Sequence, residues 1–590
     1  MDIKMQTRIA RMLTQVIEPM HSTEPVVEAG PVKTAMPAGT DIEQPFKRAT
    51  PESVGIKSQY IKDFLTEIDN DKTLDPHAIM IIRSGKVISE ASFGPYSTRD
   101  WHIEYSLTKT ITGLAVGILW DEGKIGLDES VFEIFGKKRP TAIIGRDRPL
   151  TVRDLLGMRS GASFNEVGVC CSDNWVEDFF ASGFKFKPGA KFDYNSMNTY
   201  MLAAAVCRIT GMTLRQYLDP RLFGPLGIKD YLWEVSPEGI EQGGMGLYLR
   251  IEDMAKIAQM IMDKGVWNGK QVVSSKWIDT MTAKHSFSGT NSDLFDYGYQ
   301  VWVGRYSDSF LMNGLFGQNA IGLRDKNMII CSNFGNNEAF QTSSYFSILS
   351  KYFLNDDFKP SDQSLPGNAL AVHGLRAQEK KLRVSERAVE NTIFQRMSED
   401  QMRDRICGTY ALDPLKCRSL SVMPFLVQVM QNNFTRGTDR ITIEEAPEGP
   451  VLTFYENGHS LRIPTGIKAV QYSTVNYYGE PYKMSGLCRF AFNEDNVPIM
   501  IVEIRPVETV NSRRIKITLT DTGISMQFSE NPGYYFIKDY VNSMEEGFLT
   551  KTLGFINTKL DPDYFDYRLT KVISPTITAE RISSKADSGS

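Results

Sequence analysis

Histidine is scarce in this chain of 590 residues: the six copies, at 21, 77, 102, 285, 373 and 459, are scattered and no G-x-S-x-G sequence accompanies them. A Ser-His-Asp triad built on a nucleophile elbow is therefore not signalled. The seven cysteines (170, 171, 207, 331, 407, 417 and 488) form no C-x-x-C pair and have no histidine beside them. That spacing argues against a zinc site or a disulfide framework and predicts free thiols in a reducing cytoplasm. Long apolar runs are missing as well, so no bilayer-spanning helix is expected, and Met1 to Met20 lacks the uninterrupted apolar core of a secretory signal. Charge of one sign is not concentrated anywhere: 66 basic against 71 acidic residues give a net charge of -5. No footprint for a nucleic-acid partner or a membrane surface is visible.

What is present is a soluble-protein composition, 42% hydrophobic and 23% charged, in a chain too long for one core. Residues 1–45 read as an N-terminal extension with a Pro/Gly-rich stretch. Residues 46–355 alternate strand-like and helical pieces, with a hairpin over His77 to Ile82 and Val87 to Phe93 and helical patterns at 106–121, 151–157, 197–209, 252–263 and 275–282. Strand-like pieces return at 298–304, 320–324 and 328–333, so the sheet is completed by distant segments. Residues 356–400, with a charged helix-like run from Gln378 to Glu399, read as a linker. Residues 401–582 alternate β-branched and aromatic residues with turn signals and predict a β-rich barrel or sandwich, and the Ser-rich tail 583–590 is expected to be disordered.

Ser106-Leu107-Thr108-Lys109 opens the apolar run Ile111 to Trp120. Residues three apart on a helix are surface neighbours, so Lys109 is placed to take a proton from Ser106 as its oxygen attacks a carbonyl. The competing account makes Ser106 an ordinary helix N-cap. The same spacing recurs at Ser182-Gly183-Phe184-Lys185, where Pro188-Gly189 follows and marks a turn rather than a rigid helix start. A second set lies at Asp193-Tyr194-Asn195-Ser196, before the apolar helix from Met201. Its phenol would relay a proton if a positive Lys109 lowered the phenol's pKa. The third piece, Met312-Asn313-Gly314-Leu315-Phe316-Gly317-Gln318, lies between strand-like segments; its glycines would let a strand edge approach a substrate and its amides meet an oxyanion.

Taken in this order the three pieces resemble the penicillin-recognising serine hydrolase family: class C β-lactamases, DD-peptidases, related carboxylesterases and 6-aminohexanoate-oligomer hydrolases. Pro51 to Gly55, Asp121 to Asp128, Leu150 to Leu156 with Ser160-Gly161, Gly211 to Thr213, Pro225 to Ile228 and Gly243 to Leu247 continue the resemblance over about residues 46 to 353. The resemblance implies an α/β fold, an antiparallel sheet flanked by helices with a helical subdomain, followed here by the β-rich C-terminal domain. It implies Ser106 as nucleophile, Lys109 as base and Tyr194 as second proton-transfer group. An oxyanion hole follows from the amides of Ser106 and Leu315 beside Gly314, with Asn195 and Asn313 near the substrate, and no cofactor or metal.

Two departures redirect the expected substrate. Met312 stands where relatives commonly carry a Lys or His that grips a carboxylate, and Ser196 stands two after the tyrosine where many carry Asn. Both point away from penicillins and cell-wall peptides, towards a small-molecule ester or amide. The alternatives are a β-lactamase or DD-peptidase and, from another class, a scaffold that is catalytically weak or has lost catalysis and binds a partner through its C-terminal domain. Other candidates are His102, Trp101, Tyr105, Trp302, Glu166 and the aromatic pairs Tyr477-Tyr478 and Tyr534-Tyr535, each with packing or solvation as the simpler account.

Overall fold

The computed structural model describes residues 33–37, 44–138, 149–169, 172–289, 292–338, 341, 343–384, 393–413, 417, 420–533 and 562–582. Tyr534-Tyr535, Cys170-Cys171, the tail from 583 and most of the N-terminal extension lie outside these. Two compact units divide the chain, one from Pro37 to Val384 and the other from Ser385 onward together with residues 33–36.

The first unit is built on an eight-stranded sheet. Its strands run in the order Lys47–Arg48, Lys86–Ser92, Pro76–Arg83, Met328–Phe334, Gln318–Leu323, Ser309–Gly314, Trp302–Gly304 and Phe295–Tyr297. Only the first pairing is parallel. The early hairpin forms because Ser84 and Gly85 both take positive φ, 50° and 67°, which matches a two-residue turn to the strand twist. Every residue of Pro76–Arg83 is buried, as a strand covered on both faces requires. The distant Met328–Phe334 pairs with it in the register Ile330 to Ile81 and Cys331 to Met80.

One face carries the helix Ser58–Asn70, whose Ile61, Phe64, Leu65 and Ile68 pack on Ile79, Ile81, Ile321 and Ile330. The helix Ile251–Met262 packs against the same central strands Pro76–Arg83, Gln318–Leu323 and Met328–Phe334. A helical part contributes Thr108–Asp121 and Ser196–Thr210, which pack on each other and are buried nearly all round.

The segment 356–400 does not behave as one linker. The helix Ala369–Val384 belongs to the first unit, because Leu375 and Leu382, two turns apart on one face, enter its core. A separate helix, Ile393–Ile406, follows in the second unit and buries Met402 and Ile406. The expected strand over 298–304 is shorter than predicted: Gln300 takes φ 62° and breaks the pattern, leaving Trp302–Gly304 and Phe295–Tyr297 on either side.

The second unit is a single ten-stranded antiparallel sheet, which decides between barrel and sandwich. Its order begins at His459–Pro464 and passes through Val451–Glu456, Thr438–Glu444, Gly408–Ala411 and Thr576–Arg581. It continues through Gly523–Asn531, Ser512–Leu519, Pro498–Pro506 and Glu480–Phe492 to Gln471–Tyr477. The two edge strands are consecutive in sequence, and beside them Gly466 N donates to Gly486 O at 3.2 Å while Cys488 N donates to Gly466 O at 2.8 Å. The sheet is thereby curled into a nearly closed, barrel-like form. Gly486 permits this, since a Cβ there would lie 2.2 Å from the Pro464 carbonyl oxygen. The interior is apolar, with Phe454, Met484, Met500, Ile515, Met526 and Phe528 fully buried.

Lys33 is part of this second unit rather than of a free extension. It is buried in an ion pair with Glu508, donates to Pro481 O at 2.6 Å and lies 4.6 Å from the Tyr482 ring centroid.

Candidate active site

Ser106 sits in a short 3-10 turn, Tyr105–Leu107, that runs directly into the helix Thr108–Asp121. The N-cap position of that helix is held by Leu107, not by Ser106. Lys109, one turn on, places Nζ 2.8 Å from Ser106 Oγ, 2.8 Å from Ser196 Oγ and 2.8 Å from the Gly244 carbonyl oxygen. Only 1% of Lys109 is exposed, and burial of its charged form pushes the amine down to about 7, with the Glu166 carboxylate acting in the opposite sense. A lysine in that state is neutral for much of its time near neutral pH and has a lone pair to accept a proton.

Tyr194 approaches from the segment before the helix Ser196–Thr210. Its ring stacks on Trp302 at 5.7 Å, meets Tyr297 edge to face at 6.1 Å and lies 5.0 Å from Lys109 Nζ. Burial raises the phenol above its ordinary value, and a hydrogen bond with Ser106 offsets this only in part. The expectation that a positive Lys109 would lower the phenol is thus corrected. Desolvation outweighs it, and the amine that was to supply the charge is itself depressed.

Gly314 ends the strand Ser309–Gly314 and passes so close to the turn before Ser106 that a Cβ would lie 2.1 Å from the Glu104 carbonyl oxygen. Leu315 follows in a tight turn whose next residue, Phe316, takes φ 66°. Tyr105, immediately before Ser106, takes φ 44°. Two residues with side chains in the left-handed region thus flank the two amides assigned to the oxyanion hole.

Beneath them lies a buried polar network. Asn333 Nδ2 donates to Glu104 Oε1 at 3.1 Å and to Gln318 Oε1 at 3.1 Å, while Gln318 Nε2 donates to the Leu315 carbonyl at 3.1 Å. Burial holds the Glu104 carboxyl well above the usual carboxylate range.

Asn195 is not available to a substrate. Its Oδ1 caps the following helix by accepting from Met197 N at 2.9 Å, and its Nδ2 donates to the carbonyls of Ala162 and Phe164. Asn before an apolar helix is the sequence signal for this role. Met312 is fully buried, and Asn313, the partly exposed neighbour, donates from Nδ2 to Asn319 Oδ1 at 2.7 Å.

His102 turns away from Ser106: its Nδ1 donates to Ile103 O at 2.9 Å, leaving Nε2 to accept from His77 Nδ1 at 2.9 Å. Trp101 packs beside Tyr248. Tyr477 and Tyr478 meet edge to face at 4.8 Å, and Tyr478 donates to the buried Glu456, so they form packing rather than a flat sugar platform. The second Ser-x-x-Lys copy is split: Ser182 donates to Phe179 O while Lys185 pairs with Asp193.

Ser196 and the candidate Glu166 are drawn together beside Lys109, a placement that their local sequence does not signal. Ser196 touches Lys109 across 87 residues of sequence, and Glu166 Oε1 accepts from Ser196 N at 2.5 Å. Among the described residues no group of three or more His, Cys, Asp or Glu side chains is placed to hold a metal ion, and no helix is long and apolar enough to cross a membrane.

The family model described as Beta-lactamase matches residues 68–333. A 6-aminohexanoate-dimer hydrolase of Paenarthrobacter ureafaciens is 24% identical over 270 residues, covering 41% of this chain and 68% of that protein. Protein flp of Staphylococcus aureus strain MW2 is 28% identical over 192 residues, 29% of this chain, and the match spans only 38% of its own length. A solved family VIII carboxylesterase is 17% identical, with 53% of this chain and 99% of that one aligned at a TM-score of 0.42. Ser106, Lys109, Tyr194 and Gly314 all lie within residues 68–333, the span of this chain that matches the Beta-lactamase family model.

Proposed function

We propose that the first unit hydrolyses an ester or amide through an acyl group carried on Ser106. The observation that carries this is the 2.8 Å approach of Ser106 Oγ to a buried Lys109 amine pushed down to about 7. Neutral Lys109 accepts the Ser106 proton as Oγ bonds to the substrate carbonyl carbon. The carbonyl oxygen takes up the negative charge and is met by the N–H groups of Ser106 and Leu315. Tyr194, kept neutral by burial, gives its proton to the departing alkoxide or amine and is reprotonated from Lys109. Water then repeats the sequence on the Ser106 ester, releasing the acid and restoring the hydroxyl. These steps use no metal or cofactor.

The substrate class follows from what the strand Ser309–Gly314 offers. Met312 is buried and Asn313 is neutral, so this strand presents no cation to a substrate carboxylate. Esters and amides without that carboxylate fit better than penicillins or D-amino-acid peptides, and the Paenarthrobacter relative, named as a 6-aminohexanoate-dimer hydrolase, supports the hydrolytic reading. The thiols of Cys207, Cys331, Cys407 and Cys488 are free, which supports a reducing cytoplasm as the setting.

A panel of p-nitrophenyl esters and anilides, assayed beside Ser106→Ala and combined with fluorophosphonate labelling, tests the proposal. Turnover lost in Ser106→Ala and a single adduct on Ser106 are expected. Folded protein that takes no adduct at Ser106 would favour the binding-scaffold reading instead.

A further inference from the structure

Glu166 opens the short helix Glu166–Val169 in the loop that follows Ser160-Gly161. Its Oε1 accepts the backbone N–H of Ser196 at 2.5 Å, and Ser196 is the first residue of the helix Ser196–Thr210. The hydroxyl of the same Ser196 lies 2.8 Å from Lys109 Nζ. A continuous chain of two hydrogen bonds therefore runs from a carboxylate in the loop, through the helix start, to the amine beside the nucleophile.

The surroundings of Lys109 make this chain consequential. Its own element contributes the Ser106 hydroxyl, and the facing segment contributes the Tyr194 ring and the Ser196 hydroxyl. The segment at Gly244 contributes a carbonyl. All of these are uncharged, since burial keeps the Tyr194 phenol protonated. Among the described residues Glu166 is the charged group that acts on Lys109, and it acts against the effect of burial. Without it, an amine 1% exposed has only neutral dipoles to hold its proton.

We propose that Glu166 is a positioning residue for the acylation centre: its carboxylate fixes Ser196 against Lys109, and its negative charge sets how tightly Lys109 holds a proton. This rests on Lys109 being the base that serves Ser106. The two parts of the role are separable, because a glutamine side chain still offers Oε1 to the Ser196 N–H while carrying no charge. Alanine removes both.

The test uses the full chain with Glu166→Gln, Glu166→Ala and Glu166→Asp. The readouts are the pH profile of kcat/KM on a p-nitrophenyl ester and the pH dependence of fluorophosphonate labelling at Ser106. In the parent protein both rise with pH around about 7 as Lys109 loses its proton. In Glu166→Gln the acid limb moves to lower pH by roughly 0.5 to 1 unit, the size expected of one neighbouring charge that is not in direct contact. Glu166→Ala shows the same shift and a further fall in rate of about tenfold as Ser196 loosens. Glu166→Asp returns the limb towards the parent position.

Limbs that coincide in the parent protein, Glu166→Gln and Glu166→Ala would overturn the role of the charge, with Ser106 labelling in the parent leaving the hydrolase reading intact. An acid limb displaced to higher pH in Glu166→Gln would overturn it equally. Absence of any Ser106 adduct in the parent removes the hydrolase reading and this inference with it.

Discussion

The rings of Tyr105 and Phe316 meet edge to face with centroids 5.6 Å apart, and each belongs to a residue held at positive φ beside one of the two proposed oxyanion amides. Strain of this kind costs on the order of 1 kcal/mol or more per residue and persists where packing over-determines it. Here the packing is mutual, since both side chains are buried.

Phe316→Ala is therefore expected to lose about 3 to 5 kcal/mol of stability, as deletion of a buried ring usually does. Turnover should fall by about tenfold to a hundredfold in the protein that remains folded, because the Leu315 amide is no longer held in place. Urea denaturation and the kcat of the folded fraction measure the two effects. Unchanged kcat would show that the Leu315 amide is not part of the oxyanion hole.

Gly314→Ala separates close approach from loop freedom. Gly314 has an ordinary extended backbone, φ -120° and ψ 159°, so alanine is not strained there by dihedral. Its Cβ would instead collide with the Glu104 carbonyl oxygen at 2.1 Å and push the strand end away from the Ser106 turn. A fall in kcat/KM of about a hundredfold, by the reasoning that small misplacements at a reacting centre are costly, is expected on a p-nitrophenyl ester.

Lys109→Ala should lower kcat/KM by about two to four orders of magnitude, the usual worth of a positioned base. Lys109→Arg should do no better, since a guanidinium stays charged and has no lone pair to offer. The lysine also leaves a signature in stability. Its folded value of about 7 lies below the ordinary 10.5, so between these pH values the unfolded chain binds more protons and stability rises with pH. Below about 7 the burial penalty is fully present. Lys109→Met should thus gain relative to the parent protein as pH falls from 10 to 6.5, which paired urea titrations at the two pH values would reveal.

Met312→Lys is a stringent test of the substrate class. Restoring the cation common among relatives should not create penicillin hydrolysis, because the side chain at 312 is fully buried in the strand and an ammonium there has no solvent to hold it. The variant should be destabilised by several kcal/mol through a buried, unpaired ammonium. Nitrocefin turnover appearing in a stable Met312→Lys protein would contradict this.

Local patterns carry a good part of the fold and the pairing at the centre of the candidate site. The Ser106 to Lys109 spacing, the Ser84-Gly85 turn and the alternating strands of residues 401–582 are all encoded within a few residues of themselves. Contacts made across the chain left no such mark. Ser196 reads locally as a helix start, and nothing near it announces an amine contributed by residue 109. Asn195 is the reverse case, because its capping role was written in the sequence and was passed over for a substrate contact. Charge covers the run Gln378 to Glu399 evenly and makes it read as continuous; Leu375, just upstream of it, and Leu382, within it, decide where its start packs.

Lys33 has a consequence for how the polypeptide comes apart. Residues 33–36 belong to the second unit, Pro37 to Val384 to the first and the residues from Ser385 onward to the second again, so in sequence the first unit lies between two segments of the barrel-like one. A protease that severs the backbone just after Val384 yields an amino-terminal fragment that still carries Lys33, whose partners Glu508 and Pro481 lie in the other fragment. The two pieces should elute together in gel filtration until that buried ion pair is broken.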